Sequence, residues 1–356
     1  MSLLGYTSKE YKDERGRDYY FDNAKFILIF FVVLAHAVSP LQYTMPKVAA
    51  VWKMINALHM PCMIFITGYF AKSYIRDGVV KTRRLVTYVV YYMAAQTAVS
   101  LFEYFVLGDH NIGKSFFFPR SSLWYLMCMI WWFGFLPYIY KIKPRFMLTG
   151  AFIVAMLAGY DNKAGDFLSV LRMVNHFPFF LTGYYFKKEW LFKFRNIWTQ
   201  LGAIAISGAM LVWTFFNLEV IPNRIITCNF SYYDANLKSM TSLPVMFVHR
   251  ICFYLAAFIL CGCFLLLVPR GKAFFTRFGS RTLQVYILHR FLYLSENKFG
   301  WYEPFLGSAK GAFAMAGIAL AVTLILSLKP FEYPFIWLGK INLTPFETKS
   351  EDKVRV

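Results

Sequence analysis

Apolar stretches of about twenty residues recur along this chain, each long enough to cross the hydrocarbon core of a bilayer as a helix. They span residues 22–41, 49–71, 85–107, 122–140, 146–160, 167–186, 197–217, 244–268, 281–297 and 309–329. The fifth is short and the ninth is interrupted. Inside hydrocarbon no water satisfies a bare N–H or C=O, so only internally bonded helices or a closed barrel can span it. The run lengths select helices. The expected fold is all-α, a polytopic transmembrane helical bundle of about ten helices with both termini in the cytoplasm. Composition agrees: of 356 residues, 58% are hydrophobic and only 16% charged, against roughly a quarter charged in soluble domains.

The formal net charge of +19 invites a nucleic-acid reading, so the location of the positive residues has to decide. With the N-terminus in the cytoplasm, most of the 38 Lys and Arg fall on that side. The blocks are Lys9, Lys12, Arg15 and Arg17; Lys72, Arg76, Lys81, Arg83 and Arg84; Lys141, Lys143 and Arg145. Next come Lys187, Lys188, Lys193 and Arg195; Arg270, Lys272, Arg277 and Arg281; and Lys329, Lys340, Lys349, Lys353 and Arg355. This is the positive-inside bias of a multi-pass protein. The charge reports topology and contact with anionic lipid, and no nucleic-acid partner is expected. Residues 1–20 read as a polar cytoplasmic segment without the apolar core or small-residue cleavage site of a leader. Residues 331–356 read as a cytoplasmic tail. The six cysteines, at 62, 128, 228, 252, 261 and 263, match no redox or zinc spacing and are expected to be free, mostly buried thiols.

Ionisable residues inside such helices are costly and point to function. In "FDNAKFILIFFVVLAHAVSP" Lys25 and His36 lie eleven positions apart, returning to within about 20° of one face and separated by roughly 16 Å along the axis. Asp22 lies one turn below Lys25, near the same stripe. The alternative is a lysine that merely snorkels and a histidine that caps a carbonyl. His59, His176, His249 and His289 also fall in apolar segments, accompanied by Arg172, Arg250 and Arg290. Five histidines at comparable depth predict a polar cavity in the bundle, open toward the outer leaflet. Carboxylates are scarce there and no two histidines share a helix at ligand spacing, so no metal is expected. Two segments echo each other, "HMPCMIFITGYFAK" from His59 and "HFPFFLTGYYFKK" from His176. Each has a helix-interior proline, which frees a carbonyl one turn back beside a histidine. The flanking helices show no matching repeat.

The loop "AKSYIRDGVVKTRRLVTYVVYY" carries the densest basic cluster, ending in Arg83 and Arg84. It reads either as a plain topology anchor or as guanidinium groups awaiting a phosphate-rich ligand from the cytoplasm.

The segments "YYFDNAKFILIFFVVLAHAV", "HMPCMIFITGYFAK", "KTRRLVTYVVYY", "SSLWYLMCMIWW", "HFPFFLTGYYFKK" and "GSRTLQVYILH" occur in this order. Together they resemble the acyltransferase-3 family of integral membrane O-acyltransferases, and within it the fucose-4-O-acetylase-like branch. The family's hallmark is a basic residue, ten spacers and a histidine in the first helix, here Lys25 to His36. The usual basic residue is arginine; lysine keeps the charge and loses the bidentate fork. The resemblance implies an acyltransferase domain over residues 21–330 that moves an acetyl group from cytoplasmic acetyl-CoA to a sugar hydroxyl at the outer face of the plasma membrane. The acceptor class is a capsular or exopolysaccharide, or a lipid-linked precursor. A hydroxyl attacking a thioester needs a base near neutrality, and histidine suits it. On this reading His36 is the base, and Lys25, oriented by Asp22, holds CoA phosphates with Arg83 and Arg84. His59, His176, Arg172, His289 and Trp124 bind the acceptor or support the oxyanion. The competing class is a proton-coupled transporter or lipid-linked sugar flippase, which polar helices and proline kinks would also suit. The absent duplication and the basic mouth beside the Lys25–His36 stripe weigh against it.

Overall fold

A computed structural model of the chain describes residues 18–76, 79–80, 82–110, 116–163, 165–236 and 242–340. Most of the N-terminal segment, with Lys9, Lys12, Arg15 and Arg17, lies outside the described residues, as do Lys81, the end of the tail with Lys349, Lys353 and Arg355, and the side chains of Arg76 and Arg84.

All ten expected segments are helical. They are α1 (Tyr19–Ala37), α2 (Pro46–Ala71), α3 (Thr82–Phe102), α4 (Trp124–Ile139), α5 (Pro144–Ala158), α6 (Val170–Tyr185), α7 (Ile197–Phe216), α8 (Leu243–Leu267), α9 (Thr282–Leu294) and α10 (Ala309–Leu326). Seven stretches are long and apolar enough to cross a membrane; α5, α6 and α9 are the shorter three. The chain is a polytopic helical bundle. Its one strand pairing among the described residues is a two-residue antiparallel ladder, β1 (Ile75–Arg76) with β2 (Val79–Val80), in the basic loop.

The helix ends follow from local chemistry. Pro46 and Pro144 open α2 and α5 at positions where no amide donor is needed. Asn196 caps α7 by accepting from Thr199 N at 3.0 Å, and the Thr199 hydroxyl accepts from Asn196 N in return. Asp18 starts α1, accepting from Tyr20 N at 3.0 Å and forming an ion pair with Lys188.

Burial sorts the helices into two shells. In their most apolar windows α1 is 67% buried and the α2 stretch 72%, whereas α7 is 11% and α10 22%. The outward faces of α7 carry Trp198, Leu201, Ile204, Val212, Trp213 and Phe216 exposed, the side chains that lipid would cover. The inner helix α1 contacts α2, α9 and α10, and α2 contacts α6, α7 and α8. Buried polar anchors fix the lower end of α1. Asn23 Nδ2 donates to Pro269 O and Gly271 O, the Thr276 hydroxyl donates to Asn23 Oδ1 at 2.6 Å, and the Tyr20 hydroxyl donates to Leu265 O. All six cysteines are free; five are buried and Cys252 is exposed.

Candidate active site

Two cavities lie against each other along α1. The lower one, of about 210 Å³, has Lys25 on its wall, with Ile29, Met63, Ile66, Phe70 and Met129 making it largely apolar and Thr67, Tyr74, Tyr88 and Tyr125 contributing hydroxyls. The upper one, of about 130 Å³, is lined by His36, Asn56, His59, Ser122, Trp124, Arg172, His176 and Thr227. Val32, Met60 and Tyr286 line both and form the partition between them.

Lys25 Nζ is 2.9 Å from Asp22 Oδ1, an i,i+3 pair on α1, and 5.5 Å from the ring centroid of Phe70. Arg83 is exposed at the start of α3 and lines neither cavity, while Tyr88, five residues on, reaches the lower one. Tyr88 and Tyr74 share a hydroxyl–hydroxyl bond of 2.7 Å on that wall.

The histidines separate by the atom that bonds Nδ1. In His59, His176 and His289 it meets the carbonyl one turn back, Ile55 O at 2.6 Å, Arg172 O at 2.9 Å and Val285 O at 2.8 Å. A carbonyl only accepts, so in the neutral rings the proton sits on Nδ1 and the lone pair on Nε2. His36 is the opposite. Its Nδ1 is 2.9 Å from Arg290 NH1, and a guanidinium only donates, so the lone pair is on Nδ1 and the proton on Nε2. Arg290 Nε also bonds the Ser121 hydroxyl. The His289 ring lies 5.3 Å from that of His36, lines neither cavity, and has no partner at Nε2. Tyr302, in the segment between α9 and α10, donates to His36 O at 3.1 Å; burial pushes its phenol above the ordinary tyrosine range, so it stays a donor. His249 is half-buried on α8 and lines neither cavity. Three of the five histidines, His36, His59 and His176, thus line the upper cavity, with His289 against His36 behind its wall. Among the described residues no three His, Cys, Asp or Glu side chains stand close enough to hold a metal.

Backbone strain concentrates at the upper cavity. Among the described residues four non-glycine residues have positive φ: Ser121 (55°), Leu168 (48°), Ser169 (51°) and Cys228 (57°). Each such residue costs on the order of 1–2 kcal/mol. Ser121 precedes Ser122, Cys228 follows Thr227, and Leu168–Ser169 lead into the turn bearing Arg172. Tertiary bonds hold that turn: Trp131 Nε1 donates to Leu168 O, Trp132 Nε1 to Met173 O, and Asn175 Nδ2 to Cys228 O.

Sequence reasoning does not single out Tyr286, Ser122, Asn56 or Thr227 as wall residues, nor the Arg290–His36 bond. For Tyr286 a signal exists: it sits three residues before His289 in "VYILHR", on the same helical face. Ser121 and Ser122 precede Trp124 in "SSLWY". Nothing local announces the others.

The model of the acyltransferase-3 family, described as an acyltransferase domain, matches residues 18–328. No curated protein and no solved structure matches the chain.

Proposed function

The chain belongs to the acyltransferase-3 family, and from that premise we propose that it moves an acetyl group from cytoplasmic acetyl-CoA to a sugar hydroxyl of an extracytoplasmic capsular or exopolysaccharide, or its lipid-linked precursor, at the plasma membrane. The fucose-4-O-acetylase-like branch is the subgroup we assign. The observation that carries this reading is the pair of abutting cavities, Lys25 on one wall and the histidines on the other, joined at Val32, Met60 and Tyr286. A two-substrate transfer across a bilayer needs such a meeting point.

In this mechanism the nucleotide of CoA stays at the basic loop of Arg83 and Arg84, and its phosphates meet Lys25 at the cavity wall. The apolar lower cavity takes the pantetheine arm and directs the thioester at the partition. The acceptor hydroxyl approaches from the upper cavity. As its oxygen bonds the acyl carbon, the C–S bond breaks, a histidine takes the hydroxyl proton, and that proton ends on the CoA thiolate. For His36 to act as the base, the hydroxyl must take the place of Arg290 NH1 at Nδ1. A specific observation favours a second assignment: His59 and His176 also line the upper cavity, and both already have Nε2 lone pairs. In either case His36 Nε2–H remains available as a donor to the developing oxyanion.

The test is transfer of label from acetyl-CoA on one face of reconstituted vesicles to a polysaccharide extract on the other. His36→Ala should lower the rate by about 10²–10⁴-fold while the protein stays folded and binds CoA. An unchanged rate removes His36 from the chemistry, and the loss then falls on His59→Ala or His176→Ala.

A further inference from the structure

Among the described residues Arg172 is the one Lys or Arg on the wall of the upper cavity, and the transfer mechanism above does not use it. It lies in the first turn of α6, and His176 bonds its backbone carbonyl. Its guanidinium lies 4.9 Å from the Trp124 ring centroid, and its Nε is buried without a hydrogen-bond partner. Among the described residues no carboxylate lines this cavity. Asp166, in the exposed turn before α6, acts on Arg172 through space without forming an ion pair. Two more arginines stand nearby. Arg290 is bonded to His36 and Ser121, and Arg250 is fully buried on α8 with Nε and NH1 unpartnered. The surroundings of this cavity are cationic.

A half-buried guanidinium whose Nε is buried without a partner is costly, because desolvation removes water that nothing replaces. A fold that keeps one on a cavity wall, 4.9 Å from the centre of an indole ring, presents a planar fork of donors suited to a carboxylate or phosphate. The cation–π contact with Trp124 holds the guanidinium on this wall. The strained residues Leu168 and Ser169, just before this turn, show that tertiary packing sets its position against local preference.

We propose that the acceptor is an anionic sugar, and that Arg172, braced on Trp124, binds its carboxylate or phosphate oxyanion in the upper cavity. This deepens the acyltransfer reading and rests on it. The anion anchors the acceptor, and a different oxygen, the hydroxyl to be acylated, faces the partition. Arg172 is a specificity residue in this arrangement and takes no proton.

The experiment measures binding to the purified full chain without CoA, using methyl β-glucuronide, glucose 1-phosphate and methyl β-glucoside. One or both anionic sugars should bind about tenfold or more tighter than the neutral glucoside, the size expected for hydrogen bonds to a charged partner. Which one shows the preference tells carboxylate from phosphate. Arg172→Gln should abolish the preference, while Arg172→Lys, charged but without the fork, should keep part of it. If Arg172→Gln does not fold, the fall in preference in Arg172→Lys decides. Equal binding of all three sugars by the wild type overturns the proposal, as does an undiminished preference in the variants. In transfer assays Arg172→Gln should raise KM for an acidic acceptor at unchanged kcat. An equal kcat loss for acidic and neutral acceptors would assign Arg172 to the reaction's own oxyanion and overturn it too. Anion preference without any label transfer from acetyl-CoA would sink the acyltransfer reading and leave the anion site standing.

Discussion

His36 receives bonds that its three neighbouring histidines do not. Arg290 donates to its Nδ1 and Tyr302 to its carbonyl, so two distant segments set its tautomer and its height in the bundle. Loss of one charge-assisted bond to a positioned ring costs about 1.5–3 kcal/mol, or about ten- to a hundredfold in rate. Where His36 keeps this bond and serves through its Nε2–H, Arg290→Gln is therefore expected to lower kcat by that factor and leave KM for acetyl-CoA unchanged, with partial rescue by Arg290→Lys. Steady-state kinetics of the three proteins check this; a KM effect alone would place Arg290 with the donor instead. Legibility at this scale depends on sequence distance. The Asp22–Lys25 pair is one helical turn apart and can be read from spacing. The His36–Arg290 bond spans 254 residues, and no local rule reaches that far.

Among the elements, α2 and α6 form the closest pair. A Cβ on Gly68 would sit 1.9 Å from Phe180 O, and one on Gly183 would sit 1.8 Å from Phe65 O. The contact is reciprocal: each glycine faces the residue three positions before the other. Small residues let backbones meet in this way, and in lipid such packing supplies much of the drive for association. It brings His59 and His176, one from each echoing segment, to the same cavity. Gly68→Ala and Gly183→Ala should each destabilise the protein by about 1–3 kcal/mol through overpacking, seen as a lower Tm in detergent. Gly134→Ala and Gly208→Ala, with open space around them, should not lower it. Equal behaviour of the four variants would contradict the close contact. The echo of His-x-Pro and Thr-Gly-Tyr is visible in the sequence. That its glycines face each other is not, because a motif records composition and not its partner surface.

For the whole molecule, the charge pattern is the basis of the proposed topology and of the proposed separation of donor from acceptor. The proposed topology has Lys163 outside and Lys272 inside; both are exposed. In a Cys252→Ser background, a membrane-impermeant maleimide added to intact cells should label Lys163→Cys and not Lys272→Cys, with the reverse in inside-out vesicles. Labelling of both from one side would break the threading and the separation of donor from acceptor. Helix number and span follow from run length, because hydrocarbon forces each apolar run to satisfy its own backbone. The shells do not follow, since lipid-facing α7 and interior α2 are both apolar and differ only in their neighbours.

From the sequence alone come the all-helical bundle, the residues buried against expectation, and the Lys25–His36 stripe, all governed by forces that act within one helix or between a helix and its solvent. Only the tertiary structure decides that Val32, Met60 and Tyr286 divide two cavities, that Arg290 takes the lone pair of His36, and that Arg172 lies on Trp124 without a counter-ion. These depend on which faces of distant helices meet. Contact between helices is set by packing shape summed over the whole bundle, a quantity no single stretch of residues contains.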